Sequence, residues 1–131
     1  MKPDDIDLIN SASEIRKNAR APYSHFKVGA ALLAADGRVF TGVNVESSSY
    51  GLTICAERIA LGKALSEGAD KFSKIAIVVD SKKLVPPCGA CRQLLYDYAP
   101  ELEVIISNGK GQSKKYKLIE LFPEPFGMSF L

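Results

Sequence analysis

Three cysteines are the residues of this chain with the clearest potential for chemistry. Cys88 and Cys91 form a C-x-x-C pair preceded by a proline, and Cys55 lies upstream, two residues before Glu57. At a helix start, such a pair carries both thiols on one face, because residues three apart are neighbours there. If a second helix brings Cys55 alongside, three sulfurs converge on one point. Three thiolates suit Zn²⁺, which accepts soft ligands and prefers tetrahedral coordination.

A zinc ion held by three side chains keeps its fourth coordination position for water, which is typical of catalytic rather than structural sites. Water in that position loses its proton near neutral pH. Glu57 follows one ligand closely, so its carboxylate could take up that proton and pass it on. Arg58 and Arg92 also follow the ligands and could donate to the sulfurs, drawing negative charge away from the metal. The pattern therefore predicts hydrolytic chemistry at zinc.

Other interpretations of these residues stay open at this point. His25, the only histidine, could be a fourth ligand, and the closed site would then belong to a structural zinc module that binds protein or RNA. The cysteines could also be buried thiols without a metal, and Glu57 could simply favour the positive end of a helix dipole. The catalytic interpretation is favoured because the order Cys-x-Glu followed by Pro-Cys-x-x-Cys resembles the signature of zinc deaminases.

Both cysteine segments fall at the starts of predicted helices. Apolar residues at helical spacing predict a first helix that begins near Asp4 or Asp5 and ends before Pro22, and Asp36-Gly37 predicts a hairpin turn. Two more helices are predicted over residues 53–67 and 88–98, a last helical turn before Pro123, and strands over residues 27–35, 38–45, 75–79, 102–107 and 114–118. This order predicts one α/β domain over residues 1–131, with a mixed five-stranded sheet flanked by helices in three layers.

Composition, charge and hydropathy limit the classes of partner that the sequence predicts for this protein. The 131 residues are 47% hydrophobic with a net charge of +2, which fits one globular domain and is too weakly basic to indicate nucleic acid. The most apolar run, Ile75 to Val79, is far shorter than the ~20 residues that cross a bilayer. The acidic start lacks the apolar core of a signal peptide, and an odd cysteine count argues against disulfides. We therefore expect a cytoplasmic protein without membrane or nucleic-acid partners. A local basic stretch is interpreted as a solvated hairpin face: Lys110, Lys114, Lys115 and Lys117.

Five segments, in order along nearly the whole chain, resemble the small homotetrameric cytidine deaminases of nucleoside salvage. They are YSHFKVGAA (23–31), NVE (44–46), YGLTICAER (50–58), PCGACRQ (87–93) and PFG (125–127). The resemblance implies hydrolytic deamination of cytidine and 2′-deoxycytidine to the uridine forms and ammonia. It also implies one Zn²⁺ per subunit on Cys55, Cys88 and Cys91, with Glu57 as the catalytic proton carrier.

The resemblance assigns substrate contacts as well. Phe26 would pack against the pyrimidine, and the backbone of Ala56 would meet the base. Asn44 and Glu46 would hydrogen-bond the ribose 3′-hydroxyl, and the carboxylate would repel a 3′-phosphate, which favours free nucleosides. In that family neighbouring subunits complete each site, so two further aromatic residues would act on the site of another subunit: Tyr50 and Phe126.

The chain departs from the family pattern at the subunit-contact loop and the tail. Ser47 and Ser48 stand where Asn and Ala are common, and Met128 replaces a frequent proline. A sibling deaminase that acts on an aminoacylated cytosine antibiotic is the alternative among enzymes, although the Asn44–Glu46 segment with Phe26 suits a plain ribose. A deaminase that edits polynucleotides is disfavoured, because the chain is short and shows no aromatic-rich basic groove.

Overall fold

Helices and strands alternate along the chain in the order that the hydrophobic pattern predicts. The computed structural model describes residues 2–131, and its regular elements are α1 (Asp5–Arg16), β1 (Val28–Ala34), β2 (Val39–Val43), α2 (Ala56–Ser66), β3 (Phe72–Val79), α3 (Gly89–Tyr98), β4 (Glu103–Ser107), β5 (Ser113–Lys117) and α4 (Leu118–Leu121). Short 3₁₀ turns lie at Tyr50–Leu52 and Met128–Phe130. No helix in this described part of the chain is both long and apolar enough to cross a bilayer.

The first helix is shorter than predicted. It ends at Arg16, although apolar spacing continues to Ala19 and the next helix breaker is Pro22. Beyond the helix, the Arg20 N–H donates to the carbonyl oxygen of Asn44 at 3.0 Å, in a short bridge with the segment after β2. The local sequence pattern does not reveal this long-range pairing, which holds the backbone in a conformation that is not helical.

The five strands form one mixed sheet, as predicted, and their order in the sheet is β2-β1-β3-β4-β5. β3 and β4 are parallel, and the other neighbouring pairs are antiparallel. A parallel pair needs a crossover connection, which α3 provides. β2 and β5 are the edge strands. The predicted solvated lysines line the β5 hairpin and are exposed, and Lys115 pairs with Asp5 and Glu103 at 2.9 and 2.8 Å.

Helices cover both faces of the sheet, which confirms the three-layer prediction. The two faces separate cleanly in β1, where successive side chains alternate. Ala31 and Leu33 pack in the apolar cluster that contains residues of α1, whereas Ala30 and Leu32 pack in the larger cluster with residues of α2, α3 and α4. Because both faces are buried, β1 reads as a continuous apolar run rather than an alternating one.

One end of the sheet collects segments that are far apart in the sequence. Val28 pairs with Val79, and Gly29 pairs with Val43, so the start of β1 lies beside the ends of β2 and β3. The residues just outside these strand ends are therefore brought together. They are 24–26 before β1, 44–46 after β2, and the 80–87 loop that leads from β3 into α3.

Close contact between β2 and α2 depends on Gly42. A Cβ atom at this position would lie 2.4 Å from the carbonyl oxygen of Ala56 and 2.6 Å from the backbone nitrogen of Ala60. Both contacts are to backbone, which cannot rotate away as a side chain can. We expect Gly42→Ala to lower the free energy of unfolding by about 1–3 kcal/mol or more, measured by denaturant titration.

Gly62→Ala is the matched control, because it adds the same methyl group to α2 where nothing lies within 4 Å. In a helix interior this change is expected to be neutral or to stabilise by up to about 1 kcal/mol. Unfolding of Gly42→Ala at the wild-type denaturant midpoint would contradict the close packing of α2 on β2.

Candidate active site and metal centre

The three cysteine sulfurs converge at the starts of two helices. Cys55 is the N-cap residue of α2, Cys88 is the N-cap residue of α3, and Cys91 lies one turn into α3. The sulfur of Cys88 lies 3.9 Å from that of Cys55 and 3.5 Å from that of Cys91, and all three lie within 4.8 Å of one another. Neither N-cap thiol caps its own helix. The thiols therefore face one another, close to the positive ends of two helix dipoles.

Hydrogen bonding and the surroundings shift the pKa values of two of these thiols in opposite directions. The pKa of Cys55 lies below its ordinary value, because the Cys91 thiol donates to it and the Arg58 guanidinium lies close by. The pKa of Cys91 is raised, because its proton is held by Cys55 and its side chain is buried. The arrangement stabilises thiolate at Cys55, and thiolate is the form in which a cysteine binds a metal.

The two arginines that follow the cysteines differ in their contacts. One terminal nitrogen of Arg58 lies 3.8 Å from the Cys55 sulfur and donates to the Thr53 carbonyl oxygen at 3.2 Å. Arg92 was also expected to donate to the sulfurs, and that prediction is wrong. Its guanidinium donates instead to the carbonyl oxygens of Pro87 and Leu121, which ties α3 to the preceding loop and to α4.

Glu57 is the buried acid of the site. It lies in the first turn of α2, two residues after a cysteine of the cluster, and only 5% of it is exposed. Burial raises the pKa of this carboxyl above its ordinary value, and the negative charge of Cys55 acts in the same direction. A buried carboxyl group beside a cluster of cysteines is well suited to carry a proton.

Glu57 lines a cavity of about 290 Å³, which lies at the end of the sheet where the strand ends meet. Its walls come from the start of β1, the segment after β2, the end of β3, the 80–87 loop and the starts of α2 and α3. The lining residues are Ser24, Phe26, Val28, Asn44, Glu46, Thr53, Cys55, Ala56, Glu57, Ile77, Val79, Val85, Pro86 and Cys88. The cavity is thus an apolar slot with a few polar groups, as small-molecule sites generally are.

Two polar residues of the cavity also hold its wall. The Asn44 side chain donates to the Phe26 carbonyl oxygen at 2.7 Å and accepts from the Val28 N–H at 2.9 Å. One oxygen of the Glu46 carboxylate accepts from the backbone N–H groups of Tyr23 and Ser24 at 3.0 and 3.1 Å, and the other accepts from the Ser24 hydroxyl. These hydrogen bonds lower the pKa of Glu46, and the bond from the Ser24 hydroxyl has the largest effect.

The site and fold match a known family. The family model described as the cytidine and deoxycytidylate deaminase zinc-binding region matches residues 2–107. The chain belongs to this deaminase family. A cytidine deaminase from Halalkalibacterium halodurans is 49% identical over 120 residues, which are 91% of each chain. The crystal structure of cytidine deaminase from Burkholderia pseudomallei has a TM-score of 0.92 and 45% identity, and the match covers 95% of this chain and 100% of that one. Blasticidin-S deaminase from Bacillus cereus, a more distant relative, is 36% identical over 127 residues, 91% of this chain and 89% of the relative.

The sulfur cluster of this deaminase fits zinc. Tetrahedral zinc with Zn–S bonds of about 2.3 Å needs neighbouring sulfurs about 3.8 Å apart. The sulfur separations of 3.5 and 3.9 Å lie close to that value. Among residues 2–131, the metal-binding group contains the three cysteines and excludes His25. A donor set of three thiolates leaves one tetrahedral position for a further ligand.

Two residues that the family resemblance assigns to the substrate lie outside the cavity. Tyr50 lines a neighbouring depression and is 78% exposed, and its ring packs edge-on against that of Tyr23. Phe126 is 55% exposed and lines a separate groove between α3 and the C-terminal tail. The structure of one chain therefore does not bring either residue to the cysteine cluster.

Several lining residues of the deaminase cavity were not predicted from the sequence. Ile77 and Val79 lie at the end of a buried strand, and Val85 and Pro86 lie in the loop that follows it. In sequence they are indistinguishable from ordinary core and turn residues. Their position before the C-x-x-C pair was the one available signal, because this strand and loop lead into the helix start that carries Cys88 and Cys91.

Proposed function

We propose that this deaminase hydrolyses cytidine and 2′-deoxycytidine to uridine and 2′-deoxyuridine, with release of ammonia. The observation that carries the proposal is the convergence of three sulfurs and the buried Glu57 carboxyl at one cavity of nucleoside size. A structural zinc module would need neither the open coordination position nor the buried acid. We also propose that residues 1–131 act as one catalytic domain.

Glu57 would be the proton carrier of the reaction. A zinc ion held by Cys55, Cys88 and Cys91 would supply water activated as a nucleophile at neutral pH. Glu57 would accept a proton as the water oxygen adds to C4 of the pyrimidine, and would deliver it to N3. It would then take the second proton from the new hydroxyl group on C4 and pass it to the amino group as the C4–N bond breaks. The water oxygen remains on C4 as the uracil carbonyl, and ammonia leaves.

The cavity walls favour a free nucleoside. Phe26 would pack against the pyrimidine, and the backbone of Ala56 would meet the base. Asn44 and Glu46 would bind the ribose 3′-hydroxyl, since each side chain keeps hydrogen-bonding capacity beyond its backbone contacts. Within residues 2–131, the cavity lining includes no lysine or arginine, and its Glu46 carboxylate would repel a phosphate. The substrate would thus be cytidine rather than a cytidine nucleotide.

The deciding experiment is incubation of the purified protein with cytidine, followed by detection of uridine and ammonia. We expect turnover of cytidine and 2′-deoxycytidine, and a drop of at least about tenfold in kcat/KM for cytidine 3′-monophosphate because of charge repulsion. Prior treatment with a strong zinc chelator is expected to abolish turnover, and added zinc to restore it. Absence of uridine from a zinc-replete sample would contradict the proposal.

A second candidate substrate is the aminoacylated cytosine nucleoside that the resemblance to blasticidin-S deaminase suggests. The same assay with that antibiotic, in competition with cytidine, distinguishes the two. Preference for cytidine supports the main proposal, and preference for the antibiotic supports the alternative.

We propose that four copies of the chain assemble and share active sites. Support comes from the exposed rings of Tyr50 and Phe126, which would act on the cavities of neighbouring copies. Light scattering should give a mass four times that of one chain. Coexpression of Phe126→Ala with Glu57→Gln should recover activity that neither variant has alone, because mixed assemblies contain sites with both residues intact.

Thiols that serve as ligands rather than disulfides also fit a reducing compartment such as the cytoplasm.

A further inference from the structure

The segment 23–26, which carries Phe26 to the cavity, has little burial to hold it. Its four residues are exposed, and His25 adopts a left-handed backbone conformation with φ of 59°. Such a conformation is uncommon for a residue with a side chain and persists only where neighbouring contacts impose it. The backbone of this segment is therefore held mainly by hydrogen bonds.

Most of those hydrogen bonds pass through Glu46 and Ser24. The backbone of Glu46 is itself held in place, because its N–H donates to the Arg20 carbonyl oxygen at 2.9 Å. Its carboxylate then accepts the Tyr23 and Ser24 backbone N–H groups and the Ser24 hydroxyl. The Ser24 hydroxyl oxygen accepts in turn from the Phe26 N–H at 3.0 Å. Ser24 is thus the residue that joins the Glu46 carboxylate to the backbone of Phe26.

We propose that Ser24 is a positioning residue for substrate binding, whose hydroxyl holds the Glu46 carboxylate and the Phe26 ring in fixed relation to each other. This inference rests on the proposed function, in which Glu46 binds the ribose and Phe26 packs on the base. The chemistry of a hydroxyl fits the role, because it offers one donor and two acceptor positions. The donor is used on Glu46 and one acceptor position on Phe26. A nucleoside would then meet its sugar and base contacts at a preset separation.

Ser24→Ala tests the inference. Loss of a hydrogen bond to a carboxylate, together with an unpaired N–H, should raise KM for cytidine by about tenfold. The value of kcat should stay within about twofold, because Glu57 and the cysteines are untouched. Ser24→Thr, which keeps a hydroxyl, should restore most of the binding. Ser113→Ala, which removes an exposed serine hydroxyl from the distant strand β5, should leave both constants unchanged.

A second substrate separates positioning from a general structural effect. With 3′-deoxycytidine, which lacks the hydroxyl that Glu46 would bind, Ser24→Ala should raise KM by a smaller factor, about threefold. An equal rise for both nucleosides, an unchanged KM for cytidine, or a fall in kcat alone would overturn the inference. Circular dichroism and thermal unfolding should show a folded variant. If Ser24→Ala is unfolded, Ser24→Cys carries the test, because its thiol is a weak donor and acceptor and should raise KM in the same way. Wild-type turnover of cytidine in the same assay establishes the proposed function separately, so the two failures can be distinguished.

Discussion

Glu57→Gln should lower kcat for cytidine by at least about 10³-fold while the protein keeps its zinc. Glutamine has nearly the same shape as glutamate but cannot accept and return a proton, so the general acid–base contribution is lost. The measurement is the initial rate of uridine formation, made alongside the zinc content of the same sample. Because Glu57 is not part of the cysteine cluster, the zinc content should stay at one ion per chain.

Glu67→Gln is the matched control for this variant. Glu67 ends the same helix as its C-cap residue and is exposed, so neutralising it should change kcat by less than about twofold. A near-normal rate for Glu57→Gln with full zinc would contradict the role of Glu57 as proton carrier. A large loss in Glu67→Gln would show that the charge of α2, rather than one carboxyl at the cavity, controls the reaction.

Cys91→Ser should remove both the metal and the activity. Cys91 is the fully buried cysteine of the cluster, and a serine hydroxyl is a hard, weakly acidic donor that replaces thiolate poorly at zinc. We expect zinc content to fall below about a tenth of an ion per chain, and the free energy of unfolding to fall by several kcal/mol, because metal binding contributes directly to folding. Elemental analysis and denaturant titration measure the two effects.

His25→Ala provides the comparison that the cysteine variant needs. His25 lies outside the sulfur cluster, so its loss should leave the zinc content unchanged. Loss of zinc from His25→Ala would instead indicate a closed four-ligand site, and the catalytic proposal would fail. Retention of zinc in Cys91→Ser would contradict the assignment of the ligands.

The parts of the site that follow from local spacing were visible in the sequence. Cys88 and Cys91 share one helical turn, and that relation holds wherever the helix packs. The starts of α2 and α3 were predicted at residues 53 and 88, and they lie at Ala56 and Gly89. The glutamate two residues after Cys55 follows the same helix geometry. The relative positions of residues within one helical turn can therefore be predicted without knowledge of how the helix packs in the fold.

The parts that depend on distant pairing were not visible. The end of α1 was predicted too late, since the Arg20 backbone bonds to Asn44, 24 residues further along, and no local signal reports such a bond. The link between Ser24 and Glu46 spans 22 residues and was missed for the same reason. Tyr50 and Phe126 lie away from the cavity of their own chain, and the roles proposed for them depend on contacts between copies.

The two open edges of the sheet govern how copies of this protein can meet. An edge strand offers unpaired backbone groups to any other strand, and sheets that join in this way grow into aggregates. On β5 that edge carries the exposed lysines Lys114 and Lys117, whose charges would repel an identical strand from a second molecule. Fusion of two sheets along β5 is therefore disfavoured, and ordered contacts between molecules would form elsewhere on the surface.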